Sequence, residues 1–352
     1  MKNISEIDKN FKVESNIKRE NLQFQDAETE PFRIYGLLRE NGRFCRMPEA
    51  VAKSVNEGVH GLYANTAGGR VRFVTDSPCI AISAEMDGVG KMPHFPLTGS
   101  VGFDLYADEG SGQRYYGTFT PPYDVTVGYE SVIDFSSKAE RIITINFPLY
   151  SNVKKLYIGL DSHSMRKAAP DYKYEKPIVY YGSSITQGGC ASRPGNSYQS
   201  MISRKLDTNF INLGFSGSGR AEEAMAQYLA DLEMSIFVCD YDHNAPDAAY
   251  LKETHLPLYR AIRAKQPKLP IILISASDVL IAPDTFADRR EVIRETYQTA
   301  IAEGNENVYF IDGAELFADE AWDSCTVDRV HPNDLGFYRM ARRIEREIAP
   351  LL

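Results

Sequence analysis

Pro177-Ile178-Val179-Tyr180-Tyr181-Gly182-Ser183-Ser184-Ile185-Thr186-Gln187-Gly188-Gly189 joins an apolar run to a serine pair flanked by glycine. The run does not alternate, which suits a strand buried on both faces, and the glycines suit an abrupt turn from strand into helix. The pattern recurs downstream. Short apolar segments at 210–213, 236–239, 271–275 and 308–311 are separated by helical periodicity near 197–206, 221–232, 248–265 and 289–302. A last helix over 335–348 sets Phe337, Met340 or Ala341, Ile344 and Ile348 on one stripe. Unalternating strands separated by helices predict an α/β fold with a parallel sheet, and such sheets bind ligands where their strands end.

Upstream the pattern changes. Residues 70–87 alternate apolar and polar for much of their length, as a sheet with one wet face requires, and similar short runs follow at 101–106, 115–119, 131–135, 141–147 and 155–160. Gly, Pro, Asp and Ser fill the gaps, and one short helix is expected at 48–55. An all-β, jelly-roll-like sandwich is predicted over 1–165. The charged stretch 166–176, with Pro170, is the expected linker to a catalytic domain over 177–352.

The chain of 352 residues is 43% hydrophobic and 25% charged, globular in composition and long enough for about two domains. With 39 Lys and Arg against 48 Asp and Glu, its net charge of -9 offers no positive field for nucleic acid. No run approaches the roughly 20 apolar residues of a membrane span, and residues 1–20 are too polar for a signal peptide, so a cytoplasmic protein without a membrane partner is expected. Five cysteines, Cys45, Cys79, Cys190, Cys239 and Cys325, are scattered without CxxC pairing and are read as reduced, mostly buried thiols. For Cys190, just past the serine turn, packing is favoured over reactivity. Homo-oligomers are common for such chains, but nothing here identifies an interface.

Four segments place polar groups beside strand ends or before the final helix. The Gly182-Ser183-Ser184 turn exposes a hydroxyl beside free backbone N–H groups, without the lysine of a phosphate-binding loop. The segment from Asn212 to Gly219 contains Gly214, whose amide could approach an oxyanion. The segment from Cys239 to Pro246 offers the neutral donor Asn244; Asp240, Asp242 and His243 are an alternative metal group, but no second histidine supports it, and Asp247 is the better helix cap. In the segment Asp328-Arg329-Val330-His331, the carboxylate can reach Nδ1–H of the imidazole and leave Nε2 as a base.

Together, in this order, the four segments resemble the blocks of the SGNH hydrolases, or GDSL-type esterases, over roughly residues 177–352. The resemblance implies a flavodoxin-like, three-layer α/β/α domain. It also implies Ser184 as nucleophile, Asp328 and His331 as supporting acid and base, and Ser184, Gly214 and Asn244 as oxyanion donors. Ser183 stands where the family's block usually has Asp. Gly102-Phe103-Asp104-Leu105-Tyr106 matches the GxDLY signature of a β domain that precedes one branch of these hydrolases, and Ser192-Arg193-Pro194-Gly195 is similar to that branch's serine block.

The expected chemistry is hydrolysis of a small acyl ester, most directly a carbohydrate O-acetyl group, through an acyl-enzyme and with no metal or organic cofactor. Arg193 and Trp322 are candidate substrate contacts. Competing readings are a thioesterase, a phospholipid-like acylhydrolase, or a carbohydrate-binding protein whose hydrolase half is inert.

Overall fold

The computed structural model describes residues 17–277, 280–318 and 320–352; the opening segment 1–16 of the predicted β domain lies outside them. From Leu22 to Lys167 the chain builds a small two-stranded sheet, Leu38–Glu40 with Arg43–Cys45, and two large antiparallel ones. In one, the strand order is Leu22–Asp26, Asn152–Asp161, Cys79–Gly88, Gly128–Asp134. In the other it is Arg166–Lys167, Arg70–Thr75, Arg141–Asn146, Phe103–Asp108, Arg114–Phe119, with Arg33–Tyr35 also paired to Arg70–Thr75. Inward side chains of both sheets, among them Ile80, Ile82 and Ile158 from the first and Phe73, Phe103 and Ile145 from the second, share one core.

The strand Arg70–Thr75 was expected to keep one face in water. It is buried throughout. Arg70 and Arg72 lie flat on aromatic rings, with Arg70 Cζ 3.9 Å from the Phe210 centroid and Arg72 Cζ 4.1 Å from that of Tyr172. The planar face of each guanidinium stacks on a ring; the edge of Arg70 still donates to Phe210 O and Asn209 Oδ1, whereas Nε and Nη1 of Arg72 are buried without a hydrogen-bond partner among the described residues.

Five parallel strands follow: β1 (Tyr174–Gly182), β2 (Thr208–Gly214), β3 (Ile236–Asp240), β4 (Ile271–Ile274) and β5 (Val308–Ile311), in the order β2-β1-β3-β4-β5. Both faces are covered. Ile178 and Tyr180 join a core with α2 (Tyr198–Leu206) and α6 (Asp334–Ile348), whereas Val179 and Tyr181 face α3 (Glu223–Asp231), α4 (Ala248–Lys265) and α5 (Pro283–Ala302). This double burial explains why the strands read as unbroken apolar runs. Burial also sets α6: Phe337, Met340, Ala341, Ile344 and Ile348 are its inner stripe, and Asn333 caps it by accepting from Leu335 N and Gly336 N. The predicted helix at 248–265 is found with Asp247 as its cap.

Within the stretch read as a linker, Arg166–Lys167 still pairs with Thr75 and Val74, and β1 begins at Tyr174 opposite Thr208. All five cysteines are free and buried. Among the described residues no helix is long and apolar enough to cross a membrane.

Candidate active site

The strand order reverses at β1, where β2 lies on one side and β3 on the other, and open sheets bind ligands beyond the carboxyl ends of the strands at such a point. The first turn beyond β1 forms the short helix α1 (Ser184–Gln187). Ser183 begins it: its amide donates to Asp240 O, and its hydroxyl accepts from Ile185 N at 3.1 Å. Gly188 ends it at φ +104°, a left-handed conformation that a side chain would strain. Ser183 is fully buried, and Ser184, the next residue, keeps 8% exposure.

Ser184 Oγ lies 2.9 Å from His331 Nε2, and His331 Nδ1 lies 2.7 Å from Asp328 Oδ2. Asp328 can only accept, so Nδ1 carries the proton and Nε2 is left to accept from the serine hydroxyl. The Asp328 carboxylate also accepts from His331 N at 2.8 Å and Val330 N at 3.1 Å. Burial disfavours its charge, but these hydrogen bonds outweigh that effect and hold the carboxyl below the usual range. A hydroxyl, an imidazole and an ionised carboxylate in series can pass a proton off the oxygen as it attacks.

The candidate oxyanion donors differ in availability. Ser184 N has no protein acceptor among the described residues. One hydrogen of Asn244 Nδ2 goes to Phe215 O at 2.9 Å, which leaves the second. Gly214, expected to offer its amide, does not: Gly214 N donates to Asn212 Oδ1 at 2.9 Å in a fully buried position. A Cβ there would stand 2.2 Å from Gln187 N, so this glycine serves the close packing of α1 on β2. Three residues on, Gly217 adopts φ +66°, and its amide has no partner among the described residues.

Arg193 is likewise taken up by protein. Its guanidinium donates to Asp104 Oδ2 at 3.2 Å and to Tyr106 Oη, and covers the Tyr115 ring at 3.8 Å. Asp104 also receives Gly195 N and Asn146 Nδ2. The residue expected to touch substrate is an anchor between the GxDLY strand and the turn that follows α1. Trp322 stands 41% exposed on the short turn Trp322–Ser324 that leads toward Asp328. Asp240, Asp242 and His243 do converge, yet Asp242 Oδ2 is engaged by Ala276 N at 2.8 Å.

Several supporting residues escaped the sequence reading. Gln187 Nε2 reaches Asn65 Oδ1 and Leu149 O while its Oε1 accepts from Ser216 N, which ties α1 to three other segments. Asp334 holds the Ser192 amide and hydroxyl. Tyr150 Oη donates to Ser184 O. The placement of Gln187 and Asp334 inside recognised blocks was the only available signal. His94, from the antiparallel half, brings its ring 5.5 Å from that of His331, and no local pattern marks it.

Residues 175–349 match the GDSL-like lipase/acylhydrolase family, and residues 22–165 match the N-terminus of SGNH hydrolase-type esterases. The chain belongs to the SGNH/GDSL hydrolases. By class, this hydrolase is a carboxylic ester hydrolase with a GxDLY-type N-terminal region. It is 29% identical to a GDSL-like lipase from Bacteroides ovatus, with a TM-score of 0.85 over 94% of this chain and 98% of the other. The fold also matches the salicylyl-acyltransferase SsfX3 of a tetracycline biosynthetic pathway (21% identity, TM-score 0.77, 95% and 98% covered). An acetyl xylan esterase, Est2A from Butyrivibrio proteoclasticus, is similar in fold at 13% identity (TM-score 0.58, 94% and 98% covered). Among curated proteins none matches this hydrolase at a significant level.

Proposed function

We propose that this SGNH hydrolase is a small-acyl serine esterase, most directly a carbohydrate O-deacetylase. Ser184 Oγ attacks the ester carbonyl, His331 Nε2 takes its proton, and Asp328 stabilises the imidazolium. The carbonyl C–O bond to the alcohol breaks as His331 returns that proton to the leaving oxygen. Water deprotonated by His331 then releases the acid from Ser184. The observation that carries this reading is the hydrogen-bonded series Ser184–His331–Asp328, with spacings of 2.9 and 2.7 Å. Ser184 N and the second Asn244 hydrogen hold the oxyanion, and Gly217 N replaces Gly214 N as the third donor, since the loop 215–219 packs against Gly182.

The small acyl group is favoured by tight surroundings: Ser184 is only 8% exposed, its carbonyl accepts from Tyr150 Oη, and the Phe95 ring packs on Tyr150. A sugar alcohol is favoured by the fold likeness to an acetyl xylan esterase and by Trp322, an exposed ring of the kind that stacks on sugars. The likeness to an acyltransferase supports a second reading, in which an alcohol other than water discharges the same acyl-enzyme.

We also infer a jelly roll for the antiparallel half. Its eight principal strands alternate between sheets so that the first, eighth, third and sixth form one and the second, seventh, fourth and fifth the other, as two Greek keys require. A division with the hydrolase domain starting near residue 174 fits the pairing of Tyr174 with Thr208.

Fluorophosphonate labelling followed by peptide mapping tests the chemistry. Modification of Ser184, absent in Ser184→Ala, is expected. Labelling of Ser183 would overturn the assignment, and none in a folded sample would favour an inert carbohydrate-binding protein. Release of acetate from acetylated oligosaccharides, compared with acyl-thioesters and longer esters, then tests the substrate class.

A further inference from the structure

His94 sits on residues 89–96, between the strand Cys79–Gly88 and the helix Leu97–Ser100, and is exposed. Its ring meets that of His331 at 5.5 Å between centroids and a 50° tilt. Cys190 follows α1 at φ +77° and is 3% exposed. One ligand atom each from His94, Cys190 and His331 lies within 4.8 Å of the other two.

Two imidazoles and a thiol are a donor set for zinc. Two imidazoles on one tetrahedral zinc, with Zn–N near 2.1 Å, have ring centres roughly 5 Å apart. The observed 5.5 Å is already close to that. Donor atoms in such a tetrahedron stand roughly 3.5 Å apart, so the cluster must contract, and the exposed His94 side chain can rotate inward while Cys190 stays packed. His331 also has the outer partner that metal-bound imidazoles keep: its Nδ1 faces Asp328 Oδ2 at 2.7 Å, which leaves Nε2 as the ligand.

We propose that His94, Cys190 and His331 form a zinc site whose occupancy switches the esterase centre off. Zinc takes the Nε2 lone pair and so breaks the 2.9 Å hydrogen bond to Ser184 Oγ. The Cys190 thiol releases its proton to solvent as its sulfur binds, and a water completes the tetrahedron. No electron changes hands, so removing the ion restores the hydroxyl–imidazole pair. The inhibitory consequence rests on His331 being the base of the proposed reaction; the binding does not.

The test is calorimetric titration of zinc into the full chain and into Ser184→Ala, with cobalt absorption to detect a thiolate–metal band and ester hydrolysis measured over the same zinc range. One ion per chain is expected in both proteins, with a thiolate band and inhibition reversed by a chelator. His94→Ala and Cys190→Ser should each weaken binding at least tenfold and raise the half-inhibiting zinc concentration in parallel; Cys190→Ala repeats the result if the serine variant folds poorly. Unchanged affinity in both positions or a cobalt complex without a thiolate band would overturn the site, and binding that leaves hydrolysis untouched would overturn the switch. Ser184→Ala keeps all three ligands but lacks the nucleophile, so failure of the esterase reading and failure of the zinc site give different results.

Discussion

Ser183 and Ser184 are neighbours with opposite surroundings. The Ser183 hydroxyl is committed to Ile185 N, whereas that of Ser184 meets an imidazole. Ser183→Ala should therefore cost about 1 kcal/mol of stability, as loss of a helix cap does; urea unfolding would measure it, and Ser184 should remain labelled by fluorophosphonate. Asn244→Ala removes a proposed oxyanion donor, and turnover should fall about 100- to 1,000-fold, roughly 3 to 4 kcal/mol, while the protein stays folded. Normal turnover in a folded Asn244→Ala variant would remove that residue from the site. Gly214 shows how residue type alone misleads. Glycine permits a close approach, but here the approach is to Gln187 N, and Asn212 takes the amide hydrogen.

At the scale of elements, the parallel sheet has an edge at β2 that the antiparallel half covers. Buried Arg46 reaches Leu62 O at 2.8 Å as well as Gly214 O, and buried Arg70 reaches Phe210 O at 3.0 Å and Asn209 Oδ1 at 2.6 Å. Carbonyls at a sheet edge are thus satisfied by guanidiniums from the other half of the molecule. The GxDLY strand adds a second tie: Asp104, fully buried, gathers Arg193, Gly195 N and Asn146 around one carboxylate. Asp104→Ala would leave the Arg193 charge without its partner. Arg193 keeps 21% of its side chain exposed, so its stranded charge costs less than in a fully buried pair, but Gly195 N and Asn146 Nδ2 also lose their acceptor and the thermal midpoint should fall clearly. Activity should fall with it, because Arg193 lies on the turn that follows α1, which carries the proposed nucleophile Ser184. A variant with an unchanged midpoint would show that this tie is dispensable.

For the molecule as a whole, one buried histidine shapes stability against pH. His255 packs on Tyr241, with Nδ1 2.9 Å from Thr296 Oγ1, and burial pushes its pKa from 6.5 down to about 4. Between these values the unfolded chain binds the proton that the folded chain refuses. Stability therefore rises with pH across this window and is lost as the solution is acidified from about 6.5 toward 4, by up to about 3 kcal/mol. Urea midpoints at pH 7 and pH 4.5 should separate accordingly. His255→Gln, which does not titrate, should reduce the difference even if it is less stable at both; an undiminished difference would assign the acid sensitivity to other groups.

Much of this was legible along the chain because it is local. Apolar runs buried on both faces announce a parallel sheet, the spacing of Asp328 and His331 lets one turn join them, and Asp247 precedes a helix it can cap. Leu22–Asp26 and Arg33–Tyr35 carried no comparable signal, because these strands are only partly buried, need no apolar run and are held by their pairing partners. Folding alone could decide whether the Gly214 amide was free, where Arg193 would point, why Arg72 could be buried, and that His94 would arrive beside His331. Each depends on residues far apart in sequence competing for the same donors, charges and ring faces, and that competition exists only once the chain has closed around them.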